Sequence, residues 1–520
     1  MRTVRVAAIA LAALCGALAA SPAQAAKRCG EPGRSWQRAT PAEAGMDAAR
    51  LQSAIDYGST QASFAVRVYR RGCLVGEDRA AAVNREQRFQ SYSMAKSVTA
   101  LAFGRAMRLG VISPDDPVGS LFPEADGAHG GITMLDLLTM TSGLEWNGWR
   151  DYNVFTMPDR VRDALTLRVI HRPGRYFEYA QSAVALLAEA IGRAAGEDVQ
   201  AFAQRELMEP LGIHAGDWAW QRDPAGHVQG FYGVQMRADD YGRLGELMRR
   251  RGVWRGRKLL SGVFMREAIA PSRTNGCYGW LIWVNAGKPC IGPRVGDRPV
   301  EQHRDFPDLP ANMYEFAGLF GQRVTVFPSQ ALVVVRTGQD TSLVANTDWE
   351  NQLYRRILGA VTDQRVVPSP DAPASPDADQ RESDYGFQDV LAHPERYRQG
   401  VVQDPLPPAG PSRARAPLLG LARRRVSRRG EVIARLWCPA RWPGNAAPAC
   451  NGRASISGGR KRKRYRLAPG KHRLLRLRLT RRRLRKLRRR RALTLVLRAR
   501  NFDAAGGTAS RLAVRVRRRR

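Results

Sequence analysis

Lysine is nearly missing from this 520-residue chain, with 8 residues against 76 arginines. Arginine keeps its proton inside a protein, whereas a buried lysine can be driven toward the neutral amine. Each lysine the chain does use therefore asks for a reason, and Lys96 in "QSYSMAKSVTALAF" (90–103) is the first to examine. Long apolar runs are scarce as well. After the first two dozen residues no stretch of about 18 unbroken apolar residues occurs, so no transmembrane segment is expected in the mature chain, which should be soluble. The seven histidines are scattered, no HExxH occurs, and no cysteine pair has zinc-ligand spacing; no metal and no other cofactor is expected. There is no G-x-S-x-G elbow, so an α/β-hydrolase triad lacks its signature. RNP, zinc-finger and helix-turn-helix signatures are missing too, and no specific nucleic-acid partner is expected.

What is present at the N-terminus reads as an export signal. Arg2 and Arg5 precede an apolar run to about Ala20, and Ala23-Gln24-Ala25 has the small-residue form of a cleavage site, which predicts a signal peptide over 1–25. An uncleaved anchor is the alternative. Cys15 would leave with the signal, and six cysteines remain: Cys29, Cys73, Cys277, Cys290, Cys438 and Cys450. Six allow about 15 pairings. The last four form two close pairs, which favours 277–290 and 438–450 and leaves 29–73. Such usage suits an oxidising compartment, and a secreted, extracellular or cell-wall-associated protein is expected.

Acidic residues are unevenly spread. The formal charge of +37 is concentrated from Pro417 onward, where 35 lysines and arginines face 2 acids. The preceding 416 residues carry only about +4. Composition divides the chain the same way: an α/β unit over 26–363, a proline-rich linker over 364–416, and an arginine-rich accessory domain over 417–520.

In the first unit, "SFAVRVYRRGCLVGED" (63–78) alternates apolar and polar residues about Arg71-Gly72, as a hairpin does. Ser93 to Gly110 has helical periodicity, and "ITMLDLLTMTSGL" (132–144) and "YAQSAVALLAEAIGRAAG" (179–196) predict two more helices, each closed near glycine. "YGWLIWV" (278–284) and "GQRVTVFPSQALVVVRTG" (321–338) predict a return to strands. The order implies a sheet flanked by helices, with a helical insert. In the linker, "DYGFQDVLAHPERY" is expected to be a short ordered piece that docks back. In the last region, "EVIARLWC", "HRLLRLRL", "ALTLVLRAR" and "SRLAVRVRR" read as short strands of a β-sandwich-like domain, with "NFDAAGGTAS" as a hairpin connection. "TRRRLRKLRRRR" (480–491) reads as either a basic helix or a disordered run.

A serine hydroxyl is a weak nucleophile until a base takes its proton. On a helix, residues three apart share a face, so Ser93 and Lys96 can touch. Ser93 also stands where the helix begins, and unpaired N–H groups there can steady an oxyanion and favour a neutral lysine. Taken alone, S-x-x-K is common, and a helix cap beside a solvated lysine would explain it. Three longer stretches add to it: "SMAKSVTALAFGRAMRLGVISPDDPVGSLFPE", "ITMLDLLTMTSGLEWN" and "PGRYFEYAQSAVALLAEAIGRAAGEDVQAFAQRELMEPLGI". Together these resemble the class C β-lactamase-like serine hydrolases, which include β-lactamases, D-amino-acid peptidases, esterases and 6-aminohexanoate-dimer hydrolases. "GVQMRADDYGRLGELMRRRGVWRGRKLLS" and "FAGLFGQRVTVFPSQALVVVRTG" extend the resemblance over nearly all of 40–360.

The resemblance implies an antiparallel β-lactamase/transpeptidase-like sheet flanked by helices, with Ser93 as the acylated nucleophile. It makes Lys96 the base or proton relay, a role that is disputed within the family. It makes Tyr179 the tyrosine of the Y-x-N motif, a phenol whose pKa should fall between ammonium groups. Gln181 stands where that motif has Asn and is its substrate-binding counterpart. Phe316-Ala317-Gly318 aligns with the third motif, Lys or His, then Thr or Ser, then Gly. The cation and hydroxyl that grip a substrate carboxylate are absent there. Gly318 still permits close approach, and the Leu319 N–H can join that of Ser93 in an oxyanion hole. Tyr152 and Trp149 are implied to line the cleft, with buried core aromatics as the other account. His303 is assigned no role. The expected activity is cleavage of an amide or ester through a Ser93 acyl-enzyme. The alternatives are a non-catalytic penicillin-binding-like wall protein, or a true β-lactamase or D-Ala-D-Ala carboxypeptidase; the lost carboxylate grip disfavours the last two. Residues 417–520 are a candidate for holding an anionic cell-wall polymer, against the plainer account of a solvated, arginine-inflated surface. Oligomeric state is not legible in the sequence.

Overall fold

The computed structural model describes residues 26–375 except 34, 126, 147, 153–156, 294–301 and 340–348. In the C-terminal part it describes 418–421, 425–427, 430–437, 450–457, 459, 462–468, 472–490, 492–501 and 509–518. The expected signal peptide, "DYGFQDVLAHPERY" and the loop of "NFDAAGGTAS" lie outside these residues.

The main sheet has six strands in the order Cys73–Glu77, Ser63–Arg70, Leu332–Gly338, Gln322–Phe327, Tyr314–Gly318 and Trp283–Val284. Every neighbouring pair is antiparallel. The first hairpin turns at Arg71 and Gly72, with φ of 52° and 82°, the two left-handed residues that a tight turn between twisted strands needs. Side chains alternate between faces, and both faces are covered. Ala65, Tyr69, Val324, Val333 and Val335 join the larger core, which includes the helices Met94–Leu109, Gln181–Ala195 and Ala238–Arg249. Val66, Val68, Phe327, Leu332 and Val334 face the helices Ala48–Ser59 and Trp349–Gly359. Covering both faces explains why Gln322–Phe327 and Leu332–Gly338 are buried along their whole length.

Helix Met94–Leu109 runs through the larger core and ends at Gly110 in the left-handed conformation. Hydroxyls on it bond to distant backbone: Ser97 to the Leu281 carbonyl at 2.7 Å and Thr99 to that of Gly230 at 2.6 Å. Two expected elements come out shorter than their apolar patterns. Within 132–144 the helix covers only Met134–Leu138, opened by a Thr133–Asp136 capping box. Met140 and Gly143 then turn left-handed, and the Met140 carbonyl accepts from the Glu178 N–H at 2.8 Å. Past Thr139 the bonding leaves the helical pattern: the Thr141 N–H donates to the Asp136 carbonyl at 2.7 Å, and the Leu144 N–H donates to the Ser142 hydroxyl at 3.4 Å, a local side-chain bond that competes with the helix. Within 278–284 only Trp283–Val284 is strand; the Gly279 N–H closes a turn onto the Ile282 carbonyl at 2.9 Å.

Disulfides join Cys29 to Cys73 and Cys277 to Cys290. Cys438 lies outside the described residues, and so does any bond from it to Cys450. Two further sheets occupy the arginine-rich part. One has three strands, Leu418–Leu421, Glu431–Trp437 and His472–Arg478; the other has five, including Cys450–Ile456, Ala492–Asn501 and Ala509–Arg518. Val432, Ala434 and Leu477 of the first meet Ile456, Leu495 and Leu497 of the second in one apolar cluster. Arg481–Arg490 is helical, with Leu487 buried in that cluster. Among the described residues no helix is long and apolar enough to cross a membrane.

Candidate active site

Ser93 stands at the N-cap position of the helix Met94–Leu109 without a side-chain capping bond and stays partly exposed, while Lys96, one turn on, is 1% exposed. The Lys96 ammonium nitrogen lies 2.9 Å from Ser93 Oγ and donates to the Phe231 carbonyl at 3.2 Å. It also stands over the Tyr179 ring, 4.6 Å from the centroid. Burial drives the Lys96 pKa down to about 7, and the negative charge of Asp151 opposes only part of that shift. A lysine that titrates near neutrality beside a serine can give and take a proton, which arginine could not do.

Tyr179 precedes the helix Gln181–Ala195 and is walled by Tyr278 and Trp283, at ring separations of 6.1 and 5.9 Å. Its pKa departs from expectation: it is pushed well up rather than down. Desolvation is the largest cause, and the nearby Ser93 hydroxyl and the Arg323 charge offset only part of it. With Phe316 at the third motif, no second ammonium flanks the ring among the described residues. Tyr179 is therefore a proton-bearing phenol at neutral pH.

Asp151 was not singled out in the sequence, yet it is buried in the midst of these groups. Helix Gln181–Ala195 has Ala180 at its N-cap, which offers no side-chain acceptor. Asp151 Oδ2 takes over, accepting from the Gln181 N–H at 2.8 Å and from Trp146 Nε1 at 3.2 Å. Burial raises the Asp151 pKa to about 6 despite those bonds and the charges of Arg160 and Lys96. Capping by a residue thirty positions away leaves no local pattern, because nothing near Ala180 announces it. The buried Gln181 Oε1 has no hydrogen-bond partner among the described residues.

The third segment reaches the helix start through its glycine. Gly318 ends the strand Tyr314–Gly318, and a Cβ there would lie 2.2 Å from the Ser91 carbonyl oxygen and 3.2 Å from the Met94 nitrogen. Leu319 follows directly, so its N–H and that of Ser93 belong to segments in direct contact. Phe316 is buried at 1% exposure within the core. The side chains of Tyr152 and Trp149 lie outside the described residues; the backbone of both forms the short helix Gly148–Tyr152. His303 Nδ1 pairs with the neighbouring Arg304 carbonyl at 2.8 Å.

An antiparallel sheet sheathed by helices, with a serine–lysine helix start against one of its strands, is the architecture of the penicillin-recognising serine hydrolases. The chain belongs to the β-lactamase family: the family model named Beta-lactamase matches residues 51–355, more than half of its length. No curated protein matches the sequence. Among solved structures, a proposed 6-aminohexanoate-dimer hydrolase from Bacillus anthracis is 16% identical with a TM-score of 0.48, covering 64% of this chain and 88% of that one. EstCE1, a hydrolase with promiscuous acyltransferase activity, is 17% identical with a TM-score of 0.44, covering 60% and 98%. A penicillin-binding protein from Bacillus halodurans is 16% identical with a TM-score of 0.41, covering 56% and 96%. Family membership rests on the sequence match, and identities of this order speak to fold alone.

Proposed function

We propose that this chain is an exported serine hydrolase that cleaves an amide or ester through a Ser93 acyl-enzyme. The observation that carries the reading is the 2.9 Å contact between a buried, near-neutral Lys96 and Ser93 Oγ. Lys96 takes the hydroxyl proton as Oγ attacks the substrate carbonyl. The N–H groups of Ser93 and Leu319 hold the oxyanion that forms. Tyr179, kept protonated by burial, hands its proton to the leaving group and is recharged from Lys96. Water then enters, and the same groups in reverse roles release the acid. Two groups whose pKa values are pushed apart divide the base and acid work between them.

With Phe316 in place of the family's cation, substrates without a carboxylate beside the scissile bond are favoured over β-lactams and D-Ala-D-Ala peptides. Gln181 Oε1, without a hydrogen-bond partner among the described residues, is suited to accept from a substrate N–H. A fluorophosphonate probe is expected to label the wild type and not Ser93→Ala. Turnover of a short-chain nitrophenyl ester should fall by at least about 10³ in that variant. Equal turnover by the two proteins would remove the acyl-enzyme reading.

The arginine-rich part is read as a holder of an anionic wall polymer. Arg453 stands directly across from Arg464, and the region from Pro417 onward holds 35 lysines and arginines against 2 acids. Like charges directly opposite one another destabilise a strand pair, and a polyanion would offset that. The full chain should bind phosphocellulose at about 50 mM salt and lose at least about 10³ in affinity by 200 mM. Retention indifferent to salt would dismiss the polyanion account.

A further inference from the structure

We infer that Arg323 is a positioning residue for the Gly318–Leu319 peptide, a role that rests on the acyl-transfer reading above. Arg323 lies on the strand Gln322–Phe327, directly across the hairpin from Ala317. Its side chain turns back under the hairpin end and is 3% exposed. Nη1 donates to the Gly318 carbonyl at 2.6 Å and to the Gln322 carbonyl at 3.0 Å. Two buried carboxylates hold the guanidinium: Glu350 of the helix Trp349–Gly359 pairs with Nη2, and Glu315 stands 3.9 Å from Nε. Glu315 is itself fixed by the Thr325 hydroxyl at 3.1 Å.

The Gly318 carbonyl and the Leu319 N–H are two ends of one planar peptide group, pointing in opposite directions. A cation clamped on the oxygen fixes the plane in which the N–H points. It also draws electron density toward the oxygen, making that N–H a stronger donor, as linked hydrogen bonds do. The neighbouring turn needs such a brace, because Phe320 is held at φ 60°, a conformation costly for an aromatic residue. Only arginine offers a planar fork able to meet two carbonyls and two carboxylates together; lysine has a single point charge. Arg323 touches no reacting atom in this scheme; it acts through the peptide.

A merely structural role, tying the C-terminal helix to the sheet, would lower stability and leave the folded enzyme's rate intact. Three variants separate the two roles. Arg323→Met and Arg323→Lys are expected to lower kcat by about 10–100-fold with KM changed less than about threefold, since a displaced oxyanion donor acts on the transition state. The fluorophosphonate labelling rate, which also builds charge on an oxygen, should fall in step. Leu353→Ala loosens the same helix from the sheet through their shared apolar cluster and leaves the guanidinium and both its carboxylates in place, so its Tm should drop while kcat stays within about threefold. Should Arg323→Met fail to fold, Arg323→Lys decides. Wild-type kcat in folded Arg323→Lys, or equal kcat losses in Leu353→Ala and the Arg323 variants, overturns the inference. If fluorophosphonate labelling still depends on Ser93 in those variants, only the role of Arg323 falls. Labelling that survives Ser93→Ala would take down the acyl-transfer reading and this inference with it.

Discussion

Lys96→Arg is expected to keep the fold at a lowered Tm, since it buries a larger side chain that cannot shed its charge, and to lose about 10²–10⁴ in kcat/KM, the range general-base groups contribute. The substitution keeps a cation over the Tyr179 ring, but its proton cannot be removed at any working pH. Wild-type turnover should have an acid limb centred at about 7, the pKa to which burial drives Lys96. Below that pH the amine is protonated and cannot accept the Ser93 proton, so the rate should fall about tenfold per pH unit. Asp151→Asn should move this limb to lower pH. The carboxylate raises the Lys96 pKa, and the amide oxygen of Asn can still accept from the Gln181 N–H. The stability sign runs with it: between about 7 and the ordinary lysine value of 10.5 the unfolded chain binds the proton and the folded one does not. Stability due to this group therefore rises with pH across that window. Normal turnover in Lys96→Arg would mean that Lys96 is not the base.

The elements that announced themselves did so through periods and stops. Helix Met94–Leu109 was legible because its apolar stripe is long and Gly110 ends it, and the first hairpin because Arg71-Gly72 interrupts an alternation. The same rule misled at 132–144 and 278–284. There the apolar residues serve a core reached by turning loops, and a local hydroxyl acceptor and backbone contacts from elsewhere outweigh local period. Of the candidate site, the contact of Ser93 with Lys96 was legible because both stand at a fixed spacing along one helix start. Asp151 and Arg323 were not, since each acts on a backbone atom that no side-chain pattern marks: the Gln181 N–H and the Gly318 carbonyl. The Tyr179 pKa went the other way because the sequence shows which charges are available, but not how completely water is excluded.

Gly318→Ala is the second large effect, and it tests the meeting of strand and helix directly. Gly318 has φ −135° and ψ 154°, an extended conformation open to any residue, so the constraint is space and not backbone freedom. The added methyl carbon would sit 2.2 Å from the Ser91 carbonyl oxygen and 3.1 Å from Gln322 Cβ. Ser91 cannot readily yield. Its N–H donates to the Val234 carbonyl at 2.7 Å, and its hydroxyl accepts from the Val234 N–H at 3.1 Å. The strand end must therefore move, carrying the Leu319 N–H away from Ser93. Overpacking of this kind costs about 1–3 kcal/mol, read as a lowered Tm. A displacement near 1 Å at an oxyanion donor should remove at least about 10² from kcat/KM, well beyond what a loss of stability alone would produce. Full activity with an unchanged Tm would mean that strand and helix part far enough in solution to admit a methyl group, and the two N–H groups would then not share one oxyanion.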